Sequence, residues 1–172
     1  MGFPKPTDAS SLQGVPVSVL APAAGDVLEY SGATSSWVAT APAAAVAAAL
    51  SADLAVVAAT LTQVLAVTLP VGTWVVTGSL AAINGAATAG ALEAELIAGT
   101  AVAAFSGAQS ASSELAAVLD APRSLAVAAL VTVTTAGTIL LNVECANACT
   151  VKAATPTYAF PGATGVVATP VG

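Results

Sequence analysis

Two cysteines and two glutamates are the residues whose types and spacing could support chemistry in this chain of 172 residues. Cys145 and Cys149 are separated by Ala-Asn-Ala, and Glu93 and Glu95 are separated by a single alanine. The sequence contains no histidine, which excludes Ser-His-Asp and Cys-His catalytic arrangements. The two cysteines supply at most two good ligands of a tetrahedral zinc site.

The two glutamates are spaced so that both would lie on one face of a β-strand. Such a pair could act as the acid and base of a glycosidase, or contribute to a calcium site. Leu92, Ala94 and Leu96 alternate with Glu93 and Glu95, so we interpret the carboxylates as the solvated face of a half-buried strand. We therefore predict no catalytic residue, no cofactor, no metal and no enzymatic activity.

The cysteines flank a short turn, and two interpretations are open. A disulfide would close a hairpin if the two residues lie opposite each other. The N-terminus lacks the basic start and apolar run of a signal peptide, so we expect the protein to be made in a cytoplasm, where disulfides are rare. We therefore favour two small thiols over a disulfide.

Three aromatic residues, Trp74, Tyr158 and Phe160, fall within expected strands. They could form a platform on which a sugar stacks. Aromatic side chains on strands are more often part of a core, because they bury a large apolar area. We expect the core role for these residues.

The composition narrows the class of partner. The chain is 57% hydrophobic and only 7% charged, against about 25% charged in a typical domain, so we expect part of its surface to be buried against other subunits. Its net charge is -6, and its basic residues are the scattered Lys5, Arg123 and Lys152. Three such cations cannot form the basic surface that nucleic acid or an anionic membrane requires. Asp53 and Gln63 interrupt the longest apolar stretch, residues 41–67, which argues against a membrane span.

The N-terminal part indicates an arm and a hairpin. Residues 1–19 are rich in Pro, Ser and Gly without periodicity, which predicts an extended arm. Two β-prone runs, Val27 to Tyr30 and Trp37 to Ala39, surround a Ser/Gly/Thr turn and predict a small β-hairpin. Tyr30 and Trp37 are placed to face each other across it. A lone hairpin is marginal in water and must rest on something.

An Ala-rich segment, residues 42–60, predicts a short helix, because Ala is the best helix former and Pro42 stands near the start. An apolar stripe with spacings of four, three and four residues is typical of a coiled coil. We expect this stripe to pack around a threefold axis as a trimer stalk; the alternative is an amphipathic helix lying on the β-domain. The stripe consists of Leu50, Leu54, Val57 and Leu61.

From about Thr60 onward the sequence predicts closely spaced strands with no long helix between them, which indicates an all-β, antiparallel sandwich. The segment from Ser106 to Glu114 is polar and is expected to be a loop. The alternation between Thr138 and Cys145 predicts that Ile139, Leu141 and Val143 share one face. The expected strands are 63–69, 73–83, 91–98, 101–105, 124–135, 138–145, 150–154, 158–160 and 166–168.

Several motifs carry a resemblance to known proteins. Leu69-Pro-Val-Gly-Thr-Trp-Val-Val-Thr-Gly-Ser-Leu80 and Ala136-Gly-Thr-Ile-Leu-Leu-Asn-Val143 resemble strands of tumour-necrosis-factor-like (complement-type) jelly rolls at the ends of phage appendage proteins. Lys152 to Tyr158, followed by Gly162-Ala-Thr-Gly165, looks like their closing segment. The resemblance covers roughly residues 61–172.

A second resemblance lies in the N-terminal part. A series of four short motifs is similar to a connector repeat of phage tail-fibre and head-appendage proteins: Leu12-Gln-Gly-Val-Pro-Val-Ser18, Ala21-Pro22, Gly25-Asp-Val-Leu-Glu-Tyr30 and Trp37-Val38. Together the two resemblances imply a homotrimer without chemistry of its own, and they supply no binding residues.

The expected organisation has three parts: an anchoring arm and hairpin (1–41), a short stalk (42–60) and a jelly roll (61–172). Because the stalk is short, we expect a capsid decoration protein or short head fibre on the virion surface, attached to the major capsid protein. The alternative is a tail-fibre or baseplate tip module that binds a host receptor or glycan.

Overall fold

The fold is seen in a computed structural model, which describes residues 11–18, 23–41, 43–100, 104–106, 110–117, 122–153 and 164–171. Within these residues the chain is all-β, its strands pair antiparallel, and there is no helix. The chain divides into two compact units, Met1–Ala43 and Ala44–Gly172.

The first unit contains two small hairpins. Strands β1 (Ser11–Leu12) and β2 (Val15–Pro16) pair across a turn in which Gln13 and Gly14 adopt positive φ angles of 52° and 79°. Strands β3 (Val27–Ser31) and β4 (Ser36–Thr40) form the hairpin that the sequence predicts. The expected extended arm is wrong for residues 11–18, because the Gln-Gly turn folds them back; residues 1–10 lie outside the described residues.

The second unit contains two sheets built from eleven described strands. They are β5 (Val46–Ala49), β6 (Leu54–Val56), β7 (Thr62–Leu69), β8 (Gly72–Asn84), β9 (Gly90–Thr100), β10 (Ala104–Ser106), β11 (Ser110–Leu115), β12 (Pro122–Val133), β13 (Gly137–Cys145), β14 (Cys149–Val151) and β15 (Gly165–Pro170).

The larger sheet is built around β8. One edge of β8 pairs with β12 along nearly its whole length, and the other edge pairs first with β15 and then with β14. Strand β5 pairs with β15, β6 pairs with β14, and β10 lies outside β12. The smaller sheet has the order β11-β9-β13-β7. The first and last strands of the unit are therefore neighbours in the larger sheet.

The core lies between the two sheets, because each of its two clusters takes buried side chains from both. One cluster surrounds Trp74, which is 1% exposed and donates its indole N–H to the carbonyl of Pro70 at 3.1 Å. The core role expected for Trp74 is thus confirmed. The second cluster contains Leu80, Leu92 and Val143. The faces predicted by alternation on β9 and β13 are confirmed, since the inward residues of both strands are buried.

The Ala-rich helix expected over residues 42–60 is wrong, since β5 and β6 occupy this segment. Val46 and Ala48 of β5 pack against the core, while Ala47 and Ala49 are exposed, a period of two. The helix preference of Ala amounts to only a few tenths of a kcal/mol per residue over most other residues. Pairing of β5 with β15 in a sheet outweighs that preference.

The stalk geometry that depended on this helix is also absent. Leu50 and Leu54 are half-buried against the second core cluster, whereas Val57 is 69% exposed and Leu61 is 51% exposed. The four residues do not form one stripe.

A second difference from the sequence prediction is β11, which occupies part of the expected loop from Ser106 to Glu114.

Candidate functional site

The hairpin of the first unit places its two aromatic residues directly opposite each other. Tyr30 of β3 pairs with Trp37 of β4, and their rings meet edge to face with centroids 5.8 Å apart and planes at 68°. Leu28 lies two residues from Tyr30 and therefore on the same face of the hairpin. We refer to Leu28, Tyr30 and Trp37 as the hairpin face.

The hairpin face is only partly covered. Leu28 is 51% exposed and Tyr30 is 52% exposed, and Leu12 and Val27 of the same unit are 44% and 49% exposed. The indole N–H of Trp37 is buried without a hydrogen-bond partner among the described residues. Val17 forms a parallel bridge with Trp37, and Ser18 donates its N–H to the carbonyl of Trp37 at 2.7 Å, which adds support at one edge of the hairpin. A two-stranded hairpin is only marginally stable by itself. Its side chains are suited to burial against a partner.

The two cysteines form a disulfide at the turn between β13 and β14. The favoured interpretation as two thiols is therefore wrong, and the hairpin alternative holds. Cys145 and Cys149 are 0% and 3% exposed and belong to the second core cluster. Asn147, between them, donates its side-chain N–H groups to the carbonyl oxygens of Thr88 at 3.0 Å and Ala89 at 3.2 Å. The disulfide thus joins the two ends of the turn, and Asn147 attaches the turn to Thr88 and Ala89, just before β9.

An ion pair that sequence reasoning missed joins two distant parts of the chain. Lys152 and Asp53 form a salt bridge, and the second carboxylate oxygen of Asp53 accepts the backbone N–H of Ala153 at 2.9 Å. The hydrogen bond from Lys152, followed by that from Ala153, lowers the pKa of Asp53 below its ordinary value of 3.8. The partners are 99 residues apart, and no motif in the sequence marks the pair.

Strands β14 and β15 pair with successive parts of one edge of β8, and the ion pair lies at the gap between them. Ala81 of β8 faces this gap: its carbonyl oxygen accepts the N–H of Lys152 at 2.8 Å, and its own N–H donates to the hydroxyl of Thr164 at 3.0 Å. The chain therefore leaves the sheet after Lys152 and returns to it at Thr164, and both residues are hydrogen-bonded to Ala81. Tyr158 and Phe160, proposed from the sequence as core or platform aromatics, lie outside the described residues.

The carboxylates considered as a catalytic or calcium pair lie on the outer face of the smaller sheet. Glu93 is directly opposite Glu144 on β13, and Glu95 is directly opposite Asn142. A small cavity of about 150 Å³ adjoins Leu61, Glu93, Glu95 and Glu144. Within the described residues, no group of three or more Asp, Glu, Cys or His side chains is arranged to hold a metal ion. These positions match the solvated strand face that the alternation predicts.

No protein-family model matches the chain, and no curated protein sequence matches it. In the described part of the chain, no helix has the length and apolar character needed to cross a membrane.

Proposed function

We propose that this chain is a non-enzymatic structural protein of a bacteriophage particle. In this proposal it is a homotrimer on the capsid exterior, made in the host cytoplasm. Its N-terminal unit attaches to the major capsid protein, and its larger unit projects outward as a tumour-necrosis-factor-like jelly roll. The strand order of the larger unit is the observation that carries the proposal.

That order fits an eight-stranded jelly roll if two successive short strands that lie along the same neighbouring strand are treated as one interrupted strand. Strands β5 and β6 together form the first position, β14 and β15 together form the eighth, and β7, β8, β9, β11, β12 and β13 fill the positions between. Apart from β10, an additional strand at the edge outside β12, the larger sheet then has the order 1-8-3-6, and the smaller sheet has the order 2-7-4-5. Antiparallel pairing of first with last, second with seventh, third with sixth and fourth with fifth is what two nested Greek keys produce.

The attachment role of the N-terminal unit is supported by the hairpin face. Tyr30 and Leu28 each expose about half of their surface. Tyrosine and tryptophan side chains are enriched at the buried centre of protein interfaces. The unit carries two acidic residues among its described positions, Asp26 and Glu29. A largely apolar docking on capsid protein suits this composition better than a charged one.

A position on the outside of a particle is also compatible with the disulfide. Disulfides persist on virion surfaces and in other oxidising environments, whereas cytosolic thiols are kept reduced. In the proposed sequence of events, Cys145 and Cys149 are reduced while the protein is made and oxidised after the particle leaves the cell.

The test is co-purification with particles. We expect an antibody against the chain to detect it in the DNA-filled particle band of a density gradient, in a fixed ratio to the major capsid protein, and on the heads in electron micrographs. The double variant Tyr30→Ala/Trp37→Ala should leave the larger unit folded and shift the chain to the soluble fraction. The exposed Val57→Ala, in the larger unit, is the matched control and should remain with the particles.

Two results would contradict the proposal. Absence of the wild-type chain from purified particles would remove the structural role. Gold labelling at tail tips instead of heads, together with glycan or host-cell binding, would favour the receptor-binding alternative.

A further inference from the structure

The outer face of the smaller sheet carries a buried hydrogen-bond acceptor without a donor. Asn142 belongs to β13, where Leu141 and Val143 on either side of it are buried in the core, so the side chain of Asn142 lies on the outer face. Asn142 is nevertheless only 5% exposed, and its side-chain oxygen is buried with no hydrogen-bond partner among the described residues. Such an acceptor is unfavourable until a donor reaches it.

Three carboxylates surround this acceptor on the same face. Glu95 of β9 lies directly opposite Asn142, and Glu144 follows Asn142 by two residues on β13. Glu93 lies directly opposite Glu144, and like charges in that arrangement destabilise an antiparallel sheet. The four strands of the smaller sheet, as described, contain no lysine or arginine. The sheet itself therefore supplies no cation to offset the carboxylates.

The cavity of about 150 Å³ lies among these side chains. Its polar lining consists of Glu93, Glu95 and Glu144 together with Ser110 of β11, which is directly opposite Glu95. An ionised carboxylate can only accept hydrogen bonds, and a serine hydroxyl can accept one as well. We refer to Glu93, Glu95, Ser110, Asn142 and Glu144 as the acceptor cluster. A ligand that fits this cluster must be a cation rich in hydrogen-bond donors.

The spacing of the acceptors selects the kind of cation. Directly opposite residues on paired strands have Cβ atoms about 4.5–5.5 Å apart, and successive outward residues of one strand are about 6.7 Å apart. Within the described residues, no three acidic side chains converge as a metal ion requires. A guanidinium group is planar and directs five N–H donors outward, whereas an ammonium group donates from a single atom. A guanidinium can therefore reach acceptors on two strands at once.

We infer that the acceptor cluster binds the guanidinium group of an arginine presented by a partner protein. The cavity is smaller than the ~300–1,000 Å³ of sites that enclose a small molecule, so it holds the end of a side chain while the rest of the ligand lies outside. Leu61, which is 51% exposed and adjoins the cavity, offers apolar surface to the methylene stem of the arginine. The inference depends neither on the proposed trimer nor on attachment to a capsid.

The acceptor cluster gives the bound guanidinium two rows of contacts across the sheet. Glu95 and Asn142 form one row, and Glu93 and Glu144 form the next. A guanidinium between the rows supplies the donor that Asn142 lacks and offsets the repulsion between Glu93 and Glu144. The neutral amide of Asn142 distinguishes this site from general attraction of cations to an acidic surface.

The experiment titrates the full-length chain with a short glycine peptide that contains one arginine and is blocked at both ends. Nuclear magnetic resonance should show shifts of the side-chain amide signals of Asn142, and the same peptide with lysine should bind more weakly. Glu95→Gln should raise the Kd about 10-fold, the loss expected for one charge-assisted hydrogen bond. Glu114→Gln is the matched control, because Glu114 is on the same face but outside the cavity; it should leave the Kd nearly unchanged.

A second variant separates binding from folding. Asn142→Leu removes the unpartnered acceptor, so its unfolding midpoint should be equal to or higher than that of the wild type. The same substitution should raise the Kd of the arginine peptide about 10-fold. A residue with a purely structural role would show the opposite result, with lower stability and unchanged binding, and that result would overturn the role of Asn142.

Other outcomes would replace the ligand or its source. Equal binding of the arginine and lysine peptides, or equal losses in Glu95→Gln and Glu114→Gln, would show general charge attraction and overturn the site. Calcium ions that displace the peptide would make it a metal site. Free arginine carries a carboxylate that the acidic face repels, so it should bind more weakly than the peptide; binding that is as tight or tighter would identify a small-molecule ligand. Self-association that Arg123→Gln abolishes would make a second copy the occupant.

Discussion

The hydroxyl of Thr164 takes the place of a missing strand residue beside Ala81. Thr164 is 0% exposed, and its Oγ1 accepts the backbone N–H of Ala81 at 3.0 Å, where the strand alongside β8 is broken between β14 and β15. A buried backbone N–H without a partner costs free energy comparable to a lost hydrogen bond. One side chain thus lets the sheet tolerate an interruption next to its central strand.

Replacing Thr164 with Val should lower the free energy of unfolding by about 1–3 kcal/mol, since the N–H of Ala81 would remain buried without an acceptor. Thr164→Ser keeps the hydroxyl and should cost less. Urea denaturation of both variants measures the difference. Equal stability of the Val and Ser variants would show that the hydrogen bond contributes nothing.

Removing the charge of Asp53 should produce a pH-dependent loss of stability. The pKa of Asp53 is lowered in the folded protein below its ordinary value of 3.8. Its contribution to stability is therefore present above that ordinary value and disappears as the pH falls through the lower pKa of the folded state. Asp53→Asn should therefore be less stable than the wild type at pH 7, and the two should converge in strong acid. Thermal unfolding from pH 7 down to pH 2 measures this.

The matched control for that experiment is Glu114→Gln, because Glu114 is exposed and forms no ion pair within the described residues. It should follow the wild-type profile. A constant difference between Asp53→Asn and the wild type at all pH values would contradict the role of the carboxylate charge.

A methyl group at Gly78 should disturb the packing between the two sheets. The added Cβ would lie 3.0 Å from Cδ1 of Leu141 and 3.1 Å from Cγ1 of Val127. Overpacking of this kind typically costs about 1–3 kcal/mol, which chemical denaturation of Gly78→Ala would measure. Gly32→Ala, where no atom lies within 4 Å, should be close to neutral. A neutral Gly78→Ala would mean that the sheets can move apart cheaply.

The disulfide should contribute modest stability. Its partners are only four residues apart, and closing so short a loop is worth about 2 kcal/mol in the chain-entropy estimate. The double variant Cys145→Ala/Cys149→Ala should therefore fold with a lower unfolding midpoint. Mass spectrometry after alkylation should find no free thiol in the oxidised wild type. Alkylation of both cysteines without denaturant would contradict the bond.

The sequence allowed good prediction wherever burial imposes a strict alternation. Leu92, Ala94 and Leu96 on β9 were assigned correctly because leucine and glutamate differ strongly in transfer free energy. The polar sequence predicts a loop where the structure has β11, because the inward residues of β11 include Ala111 and Ser113, which give a weak apolar signal.

Long-range contacts are the part that the sequence could not supply. The helix expected over residues 42–60 followed local preference, but β5 is a strand because β15, more than a hundred residues later, offers it an edge. The Asp53–Lys152 pair depends on another distant pairing, that of β6 with β14, in which Leu54 lies opposite Val151. The hairpin of Tyr30 and Trp37, which is local, was placed correctly.

The neighbouring positions of β5 and β15 set a condition on biosynthesis. The ribosome releases β5 more than a hundred residues before its partner β15. The larger sheet therefore cannot close until β15 has been synthesised, and the edge of β8 that β15 covers remains open to other chains in the meantime. A chain that stops before β15 would have a gap beside its central strand.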